Sequence, residues 1–599
     1  MKDVVHGFSI LDREFFNYII DHPLFQRLRN ITQNSLANMV YPGLMHSRFE
    51  HSLGVAYSLG KAVENLANNT HKFEDTITSA LKERFPSASE TLMEATIAFI
   101  KELINELESK ETIQSAILAG LMHDVGHLAW SHVFDYALES SWLGLERAHE
   151  QLTLLLSEAL LHEEFCNKTE YNKKICTRAL DLLNIAYRKE QKRNVCVAEI
   201  CADGRQSNIR EVANCILTKL LSSSVDIDRA DYVIRDSIHS GVTFGIFDLE
   251  RLYSSLVLAL TVTENKNKPE CIKFLIEPGI LEKGVTTVEN MLLGRLYMYS
   301  EVYLHDVVLA YNALAQKFIT LLLNIAEDDR VCNDDDAGLT CEVINCMNII
   351  TELLREGKPV NEDHITCLGM LTDAQFKSLT WIFARERLLE KEFKAAPSLK
   401  QYFSNNVSQL AALIAVARAI AHRRHWHSFT LAGRGASKIV RKLRIDKYRD
   451  VRGRIDSYNN SAIFAALHWS GFKALGSILV VRRNDLLHPR EIDEEVRALI
   501  ARELKDKYYA KVFLAIFVPQ ELPPNIEDKL NKLEELFVNI LHWREHKQKL
   551  RLSFSKLANI AATTVGIEVN SVRKQLENKL IETINKTWDV VKDLQSLYS

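Results

Sequence analysis

"LAGLMHDVGHLAWSH" (Leu118–His132) opens like the end of a buried helix, yet it carries Asp124 and three imidazoles, His123, His127 and His132. A buried carboxylate is normally paired, neutralised or bound to a metal, because leaving it bare is costly. Read with the residues before it, "ETIQSAILAGLMHDVGH" forms one helix ending near Gly126. Helical neighbours lie about 100° apart, so His123 and Asp124 can grip one ion from the same side. A divalent cation would offset the buried carboxylate and fix the imidazole tautomer. A His–Asp hydrogen bond inside an ordinary core is the plainer alternative. Further ligands must come from elsewhere in the chain.

Two stretches offer them. In "MHSRFEHSLGVAYSLG" (Met45–Gly60), His51 heads an apolar helical run and Arg48 lies one turn earlier. In "SSSVDIDRADYVIRDSIHSG" (Ser222–Gly241), Asp228, Tyr232 and Asp236 recur on one helical face, flanked by Arg229 and Arg235. His51, His123, Asp124 and Asp228 make a mixed nitrogen–oxygen set suited to Mn²⁺, Fe²⁺, Zn²⁺, Ni²⁺ or Mg²⁺ rather than a soft metal.

The composition sets the frame for this site. At 599 residues, 47% hydrophobic and 25% charged, the chain resembles a globular protein too long for one core, so two to four domains are expected. A net charge of −4 and a pI near 6.6 neither favour nor exclude a polyanionic partner. With 11 prolines and 22 glycines the chain lacks the breakers of an all-β fold, and its amphipathic stretches predict a mainly α class. Residues 1–325 read as an all-helical domain, with 71–111 as a polar, exposed helical insertion. An acidic break at 326–340 reads as a linker. Residues 341–599 read as a C-terminal helical lobe holding a small α/β element, with short strands near 476–483 and 511–519 and an amphipathic tail.

The ten cysteines, Cys166 to Cys367, contain no CxxC pair; the pattern suits neither a disulfide scaffold nor a zinc ribbon, and a cytoplasmic, reducing setting is expected. "MKDVVHGFSILDREFF" does not read as a signal peptide. "LAALIAVARAIAH" (Leu410–His422) is short and interrupted by Arg418, a core helix rather than a membrane span.

Five blocks in order, "FQRLRNI", "YPGLMHSRFEHSLGV", "HDVGHLAWSHVFD", "HEQ" and "DIDRADYVIRD", resemble the deoxynucleoside triphosphate triphosphohydrolases of the HD phosphohydrolase superfamily. The likeness includes the nucleotide-activated members and the bacterial dGTP hydrolases, and spans roughly the first 310 residues. It implies an HD domain over 1–325 and hydrolysis of a (deoxy)nucleoside triphosphate to nucleoside and triphosphate. By the resemblance, His51, His123, Asp124 and Asp228 bind the divalent metal. His132 and the His149–Glu150 pair act as the acid/base group, with Asp135 orienting an imidazole. Breaking the ester at the 5′-oxygen needs an in-line water and a proton for the leaving oxygen, a task histidines near neutral pKa can perform. Arg48, His127, Arg229, Tyr232 and Arg295 fall where the family holds phosphate oxygens, and Gln33, Asp236 and Tyr303 where it frames the deoxyribose.

Departures from the family pattern are informative. Asn34 stands where nucleotide-activated members place a leucine against the sugar's 2′ carbon, and Asn can hydrogen-bond a hydroxyl, so ribose and deoxyribose both stay open. Arg229 replaces a phosphate-binding lysine, favouring bidentate contact. Asp21, Gln26 and Arg29 match residues that read an activating nucleotide in some relatives, and the family's habit implies a homo-oligomer.

The basic stretch 422–454 holds eleven Arg/Lys against two Asp, with Trp426, His427 and Tyr448 interspersed. It reads as a nucleic-acid contact, a solvated face or a triphosphate-binding interface between subunits. "AGRGASK" (Ala432–Lys438) within it lacks the full phosphate-loop spacing. Two other readings therefore accompany the first: an HD-type phosphodiesterase or nuclease on single-stranded or cyclic nucleotides, and a non-catalytic nucleotide or nucleic-acid sensor.

Overall fold

Helix α1 (Arg48–His71) begins where Ser47 accepts the Glu50 N–H and the Glu50 carboxylate takes the Ser47 N–H in return, a reciprocal cap that fixes the first turn. Its interior is apolar on most faces, with Leu53, Val55, Leu59, Val63 and Leu66 all buried, so it runs through the core. The structure, a computed structural model, describes residues 2–8, 11–162, 164–187, 196–223, 226–263, 270–328, 331–333 and 336–423. Beyond these it describes 427–432, 465–471, 479–482, 485–491, 510–516, 522–535, 544–546 and 553–598.

Around α1 pack α2 (Glu74–Arg84), α3 (Glu90–Glu108), α4 (Lys110–Met122), α5 (His132–Ser140), α6 (Ala148–His162), α7 (Glu170–Tyr187), α8 (Ile209–Leu221) and α9 (Ile227–Ser240). Next come α10 (Val285–Met298), α11 (Asp306–Ala326), α12 (Leu339–Glu356), α13 (Asp373–Ala384) and α14 (Val407–Ala421), with shorter helices between. The class is mainly α, as the periodicity predicts. One apolar core runs from Leu11 to Ile584, across the acidic 326–340 segment that we propose as a linker.

The expectation of an all-helical first domain is corrected. Strands β1 (Lys2–Asp3) and β2 (Gly7–Phe8) form a small hairpin, and β3 (Val197–Cys201), β4 (Leu256–Thr263) and β5 (Cys271–Leu281) form a sheet. Strand β5 runs antiparallel to β3 and β4 and parallel to a strand of the C-terminal half, Leu479–Arg482, through Ile280↔Val480 and Leu281↔Val481. The β-branched run "LVLALTVT" carried the signal for β4.

A second correction concerns 71–111. It is helical, but α3 buries Leu92, Met93, Thr96, Phe99, Ile100, Leu103, Ile104 and Leu107 against α1, α4 and α8. Burying a Leu or Phe side chain stabilises by about 1.5–3 kcal/mol, so this stripe is a core wall rather than an exposed insertion. Of the expected strands, the structure describes 479–482 and 510–516; the rest of 476–483 and 511–519 lies outside the described residues. Most of 422–454 also lies outside them, apart from His422–Arg423 and the strand His427–Ala432, which pairs with Ala510–Ile516. Among the described residues, α11 is the one helix long and apolar enough to cross a membrane, and 83% of its apolar window is buried inside the protein.

The cysteine expectation is overturned. All ten pair, as Cys166–Cys176, Cys196–Cys215, Cys201–Cys271, Cys332–Cys341 and Cys346–Cys367. Partners 9 to 70 residues apart meet only once helices and strands have packed, so spacing alone gave no sign of them. Disulfides persist in oxidising compartments and within cells of hyperthermophiles, so the cysteines no longer argue for a reducing setting. Titration of the denatured, unreduced chain with a thiol reagent is expected to find under one free thiol, and ten after reduction. Because the loop closed by Cys201–Cys271 spans 70 residues, and such cross-links typically contribute about 2–4 kcal/mol each, reduction is expected to lower Tm by ~5 °C or more.

Candidate active site

Three chain segments meet beneath a cavity of about 390 Å³. The first turn of α1 carries Arg48 and His51, and the start of α9, capped by Asp226 on the Arg229 N–H, carries Asp228. Helix α4 ends at Met122, four residues earlier than expected, so His123 and Asp124 occupy the turn that follows. Carbonyls of that turn are gripped from behind. Tyr187 Oη donates to His123 O at 2.7 Å, and Arg27 donates to His127 O at 2.7 Å and to Val125 O. Burial pushes the Arg27 guanidinium down to about 9. Gly126 is required in this turn: a β-carbon there would overlap His149 O and the Thr153 backbone of α6.

The quartet read from sequence converges. His51 Nε2 lies 3.0 Å from Asp228 Oδ1 and 3.6 Å from Asp124 Oδ2. His123 Nε2 lies 3.5 Å from Asp124 Oδ2 and 3.8 Å from Asp228 Oδ1. Ligands about 2.1 Å from a single ion sit roughly 3–3.5 Å apart, so His51, His123 and Asp228 could hold a divalent cation, with Asp124 beside them. His123 Nδ1 donates to Gly120 O, which turns its Nε2 toward the carboxylates, while His51 bridges Asp231 Oδ2 through Nδ1 and Asp228 Oδ1 through Nε2. His123 Nε2 is buried and makes no hydrogen bond, an orphan that a metal would satisfy. Burial opposes charge on His51, but its bonds to Asp228 and Asp231 push it up to about 10. Burial likewise opposes ionisation of Asp124, yet Arg48 and the neighbouring imidazoles hold its carboxyl well below the usual range. The basin attracts positive charge.

Beside the quartet lies a second cluster. His127 stacks on His149 with centroids 4.4 Å apart, and His132 meets both edge-on. Asp135 holds two of these rings, at 2.7 Å from His149 Nδ1 and 3.3 Å from His132 Nδ1, and also accepts the His149 backbone N–H. His132 lines the cavity with about half its side chain exposed, and burial of the ring nitrogens lowers its pKa despite the bond to Asp135. Burial, with Arg48 nearby, lowers that of His127 much further, so both rings are neutral near pH 7. Glu150 lines the cavity and is paired with Arg147.

At the far end, Asp236 accepts from Asn34 Nδ2 and His46 Nε2, each at 2.8 Å, and from Tyr303 Oη. Gln33, Asn34, Tyr232, Asp236 and Tyr303 line the cavity, as the resemblance implies, and Gln33 Oε1 makes no hydrogen bond. Arg48 lines the cavity as well, whereas Arg229 and Arg295 do not. Arg48 donates to Asp124 at 2.6 Å and to Ser131 Oγ at 3.0 Å. Arg229 faces Asp226 at 3.3 Å, and Arg295 lies behind the wall, donating to Tyr232 Oη at 3.0 Å. Gln26 and Arg29 bond to each other, with Arg29 over the Phe49 ring.

Sequence reasoning missed four supports. His46 buttresses Asp236, Tyr187 backs His123, and Asp231 backs His51. Asp373, from beyond residue 340, accepts from Trp130 N at 2.7 Å and from Thr32 Oγ1 at 2.7 Å. It thereby pins the turn in which Trp130 and Ser131 both adopt positive φ, 56° and 52°, a conformation disfavoured for side chains with a β-carbon. Only "MHSRFEH" held a readable hint, since His46 shares a short segment with Arg48.

The family model for the HD associated region matches residues 275–356. An uncharacterized protein of Methanocaldococcus jannaschii is 27% identical over 319 residues, 53% of this chain and 49% of that protein. The deoxynucleoside triphosphate triphosphohydrolase SAMHD1 of Gallus gallus is 31% identical over 255 residues, 42% of this chain and 35% of that one. The crystal structure of a phosphohydrolase from Bacteroides thetaiotaomicron superposes with a TM-score of 0.50 at 20% identity, covering 86% of this chain and 98% of that one, a likeness of fold. The chain spans 49% to 62% of the length of the first curated relatives it matches. The chain is thus similar in sequence to named deoxynucleoside triphosphate triphosphohydrolases and in fold to a phosphohydrolase.

Proposed function

We propose that the chain is a divalent-metal-dependent phosphohydrolase that splits nucleoside triphosphates at the 5′-oxygen, giving nucleoside and tripolyphosphate. One observation carries the reading: the Nε2 atoms of His51 and His123 face the carboxylates of Asp124 and Asp228 at 3.0–3.8 Å, beside an Asp135-anchored histidine pair in the same cavity. His51, His123, Asp124 and Asp228 would hold the metal, which when bound supplies Lewis-acid stabilisation of charge at the α-phosphate.

The chain's own groups do the rest. Asp135 fixes the rings of His132 and His149 so that one proton can be held and delivered to the leaving 5′-oxygen, with Glu150 beside them. His127, neutral and stacked on His149, offers a nitrogen to phosphate oxygens without adding charge. Tyr232, its hydroxyl fixed by Arg295, offers a further donor, while Arg48 and Arg229 border the metal-binding turns. Tyr303, Asp236, Gln33 and Asn34 form the sugar end. Asn34 spends an amide hydrogen on Asp236, and its carbonyl oxygen can accept from a sugar hydroxyl, so both ribo- and deoxyribonucleotides are within the proposal. A homo-oligomer in the cytoplasm, and contact of 422–454 with nucleic acid, belong to the same proposal and rest on the sequence alone.

Product analysis tests the reading directly. With dATP, dGTP, ATP or GTP and added Mn²⁺, the expected products are nucleoside and tripolyphosphate; pyrophosphate or orthophosphate in their place would sink it. EDTA should abolish turnover and Mn²⁺ restore it. Asp135→Asn is expected to keep the bound metal while kcat falls about 10²-fold or more, since the proton-transfer group loses its anchor. Asp228→Asn should lose metal and turnover together, as read by metal analysis of the dialysed protein.

A further inference from the structure

Behind His51 lies a buried relay that the proposed reaction leaves unused. His51 Nδ1 is 2.9 Å from Asp231 Oδ2. Asp231 Oδ1 is 2.8 Å from His6 Nε2, and Arg235 donates into the same carboxylate from Nε at 2.8 Å and Nη2 at 2.9 Å. Arg235 also reaches Asp3, from Nη1 at 2.7 Å and Nη2 at 3.2 Å. Asp3 in turn shapes its own hairpin, accepting the backbone N–H of Val5 and of His6. The Asp231 and Arg235 side chains have no exposed surface, and His6 has 3%.

The packing is committed to this arrangement. A β-carbon at Gly54, one turn along α1 from His51, would overlap both Asp231 Oδ1 and Arg235 Nη2. Glycine therefore lets the Asp231–Arg235 pair press against the helix that carries the ligand. The His6 ring is seated beside Tyr57, with centroids 5.3 Å apart, and within 3.2 Å of Ser58 Oγ. Counting charges, Asp3 and Asp231 contribute two negatives and Arg235 one positive. Of these three groups, one net negative charge remains against the back of His51. An imidazole whose N–H is held by a carboxylate is fixed in tautomer and orientation and is the more basic ligand at its other nitrogen.

We propose that His6 and Asp3 are positioning residues of the metal centre: acting through Asp231, the N-terminal hairpin β1–β2 holds His51 in place and sets part of the cation affinity. The inference rests on the metal reading of the His51 quartet. None of the hairpin residues touches the cavity, so their effect is exerted on the ligand and not on substrate.

The test is Mn²⁺ affinity of the full chain by chelator competition, together with Tm in EDTA and in saturating Mn²⁺, for wild type, His6→Ala, His6→Gln, Asp231→Asn and His51→Ala. His6→Ala and Asp231→Asn are expected to weaken Mn²⁺ binding about 10- to 100-fold. The Mn²⁺-induced rise in Tm should shrink in step, while the Tm of His6→Ala in EDTA stays near wild type. His6→Gln, whose amide can donate to Asp231, should recover part of the affinity. Affinities of the His6 and Asp231 variants within twofold of wild type, beside lost binding in His51→Ala, would overturn this inference and leave the metal reading intact. A wild-type chain that binds no Mn²⁺ would overturn both. If Asp231→Asn does not fold, the His6 pair decides.

Discussion

Three carboxylates, Asp124, Asp228 and Asp231, press on a single buried imidazole, and the architecture around the cavity follows from keeping that arrangement electrically tolerable. Charges removed from water must be paired and hydrogen-bonded or they destabilise the fold by several kcal/mol. Arg48 faces Asp124 and Arg235 faces Asp231, which leaves Asp228 with only the imidazoles. Each element supplies one part: α1 brings His51 and Arg48, the turn after α4 brings His123 and Asp124, and α9 brings both Asp228 and Asp231. None of these segments can bury its polar face alone. They are stable against one another because the charges balance only when all three are docked.

That docking is enforced from outside the segments themselves. Asp373 on α13 pins Trp130 and Thr32, and Leu371 O accepts the Ala129 N–H, so the strained turn leading into His132 is held by the C-terminal half. Helix α7 places Tyr187 on the His123 carbonyl, and Cys166–Cys176 closes the chain at the start of that helix. Cys196–Cys215 and Cys201–Cys271 join the sheet to α8 and across its own strands.

Much of this was legible because it is local. His51, Asp228 and the His123–Asp124 pair stand at helix ends or on helical faces, and their spacing within each segment reports which way they point. The five blocks add the order in which those segments meet. What stayed hidden depends on contacts between residues far apart in sequence. His6 lies beside Asp231 and Trp130 beside Asp373 only after folding, and the disulfide partners share no common spacing. The 71–111 segment misled for another reason: its charged residues are numerous, yet the apolar stripe of α3 recurs with helical period and is buried along one face. Polarity averaged over a segment conceals a face; periodicity reveals it.

The position of Arg48 sharpens the chemistry of the proposed site. Its Nη1 sits 2.6 Å from the Asp124 oxygen that also faces both His51 and His123. A single carboxylate oxygen cannot give full strength to a guanidinium and to a divalent ion at once, since each draws on the same lone pairs and repels the other. On the proposed reading, loading the cation therefore weakens the hold on Arg48, whose other bonds, to Ser131 Oγ and Gln33 O, keep it at the cavity rim. A positive group freed beside the metal is where the charge of a triphosphate would be greatest. On the proposed reading, the same residue can pair with Asp124 and, where a cation shares that carboxylate, face an anion.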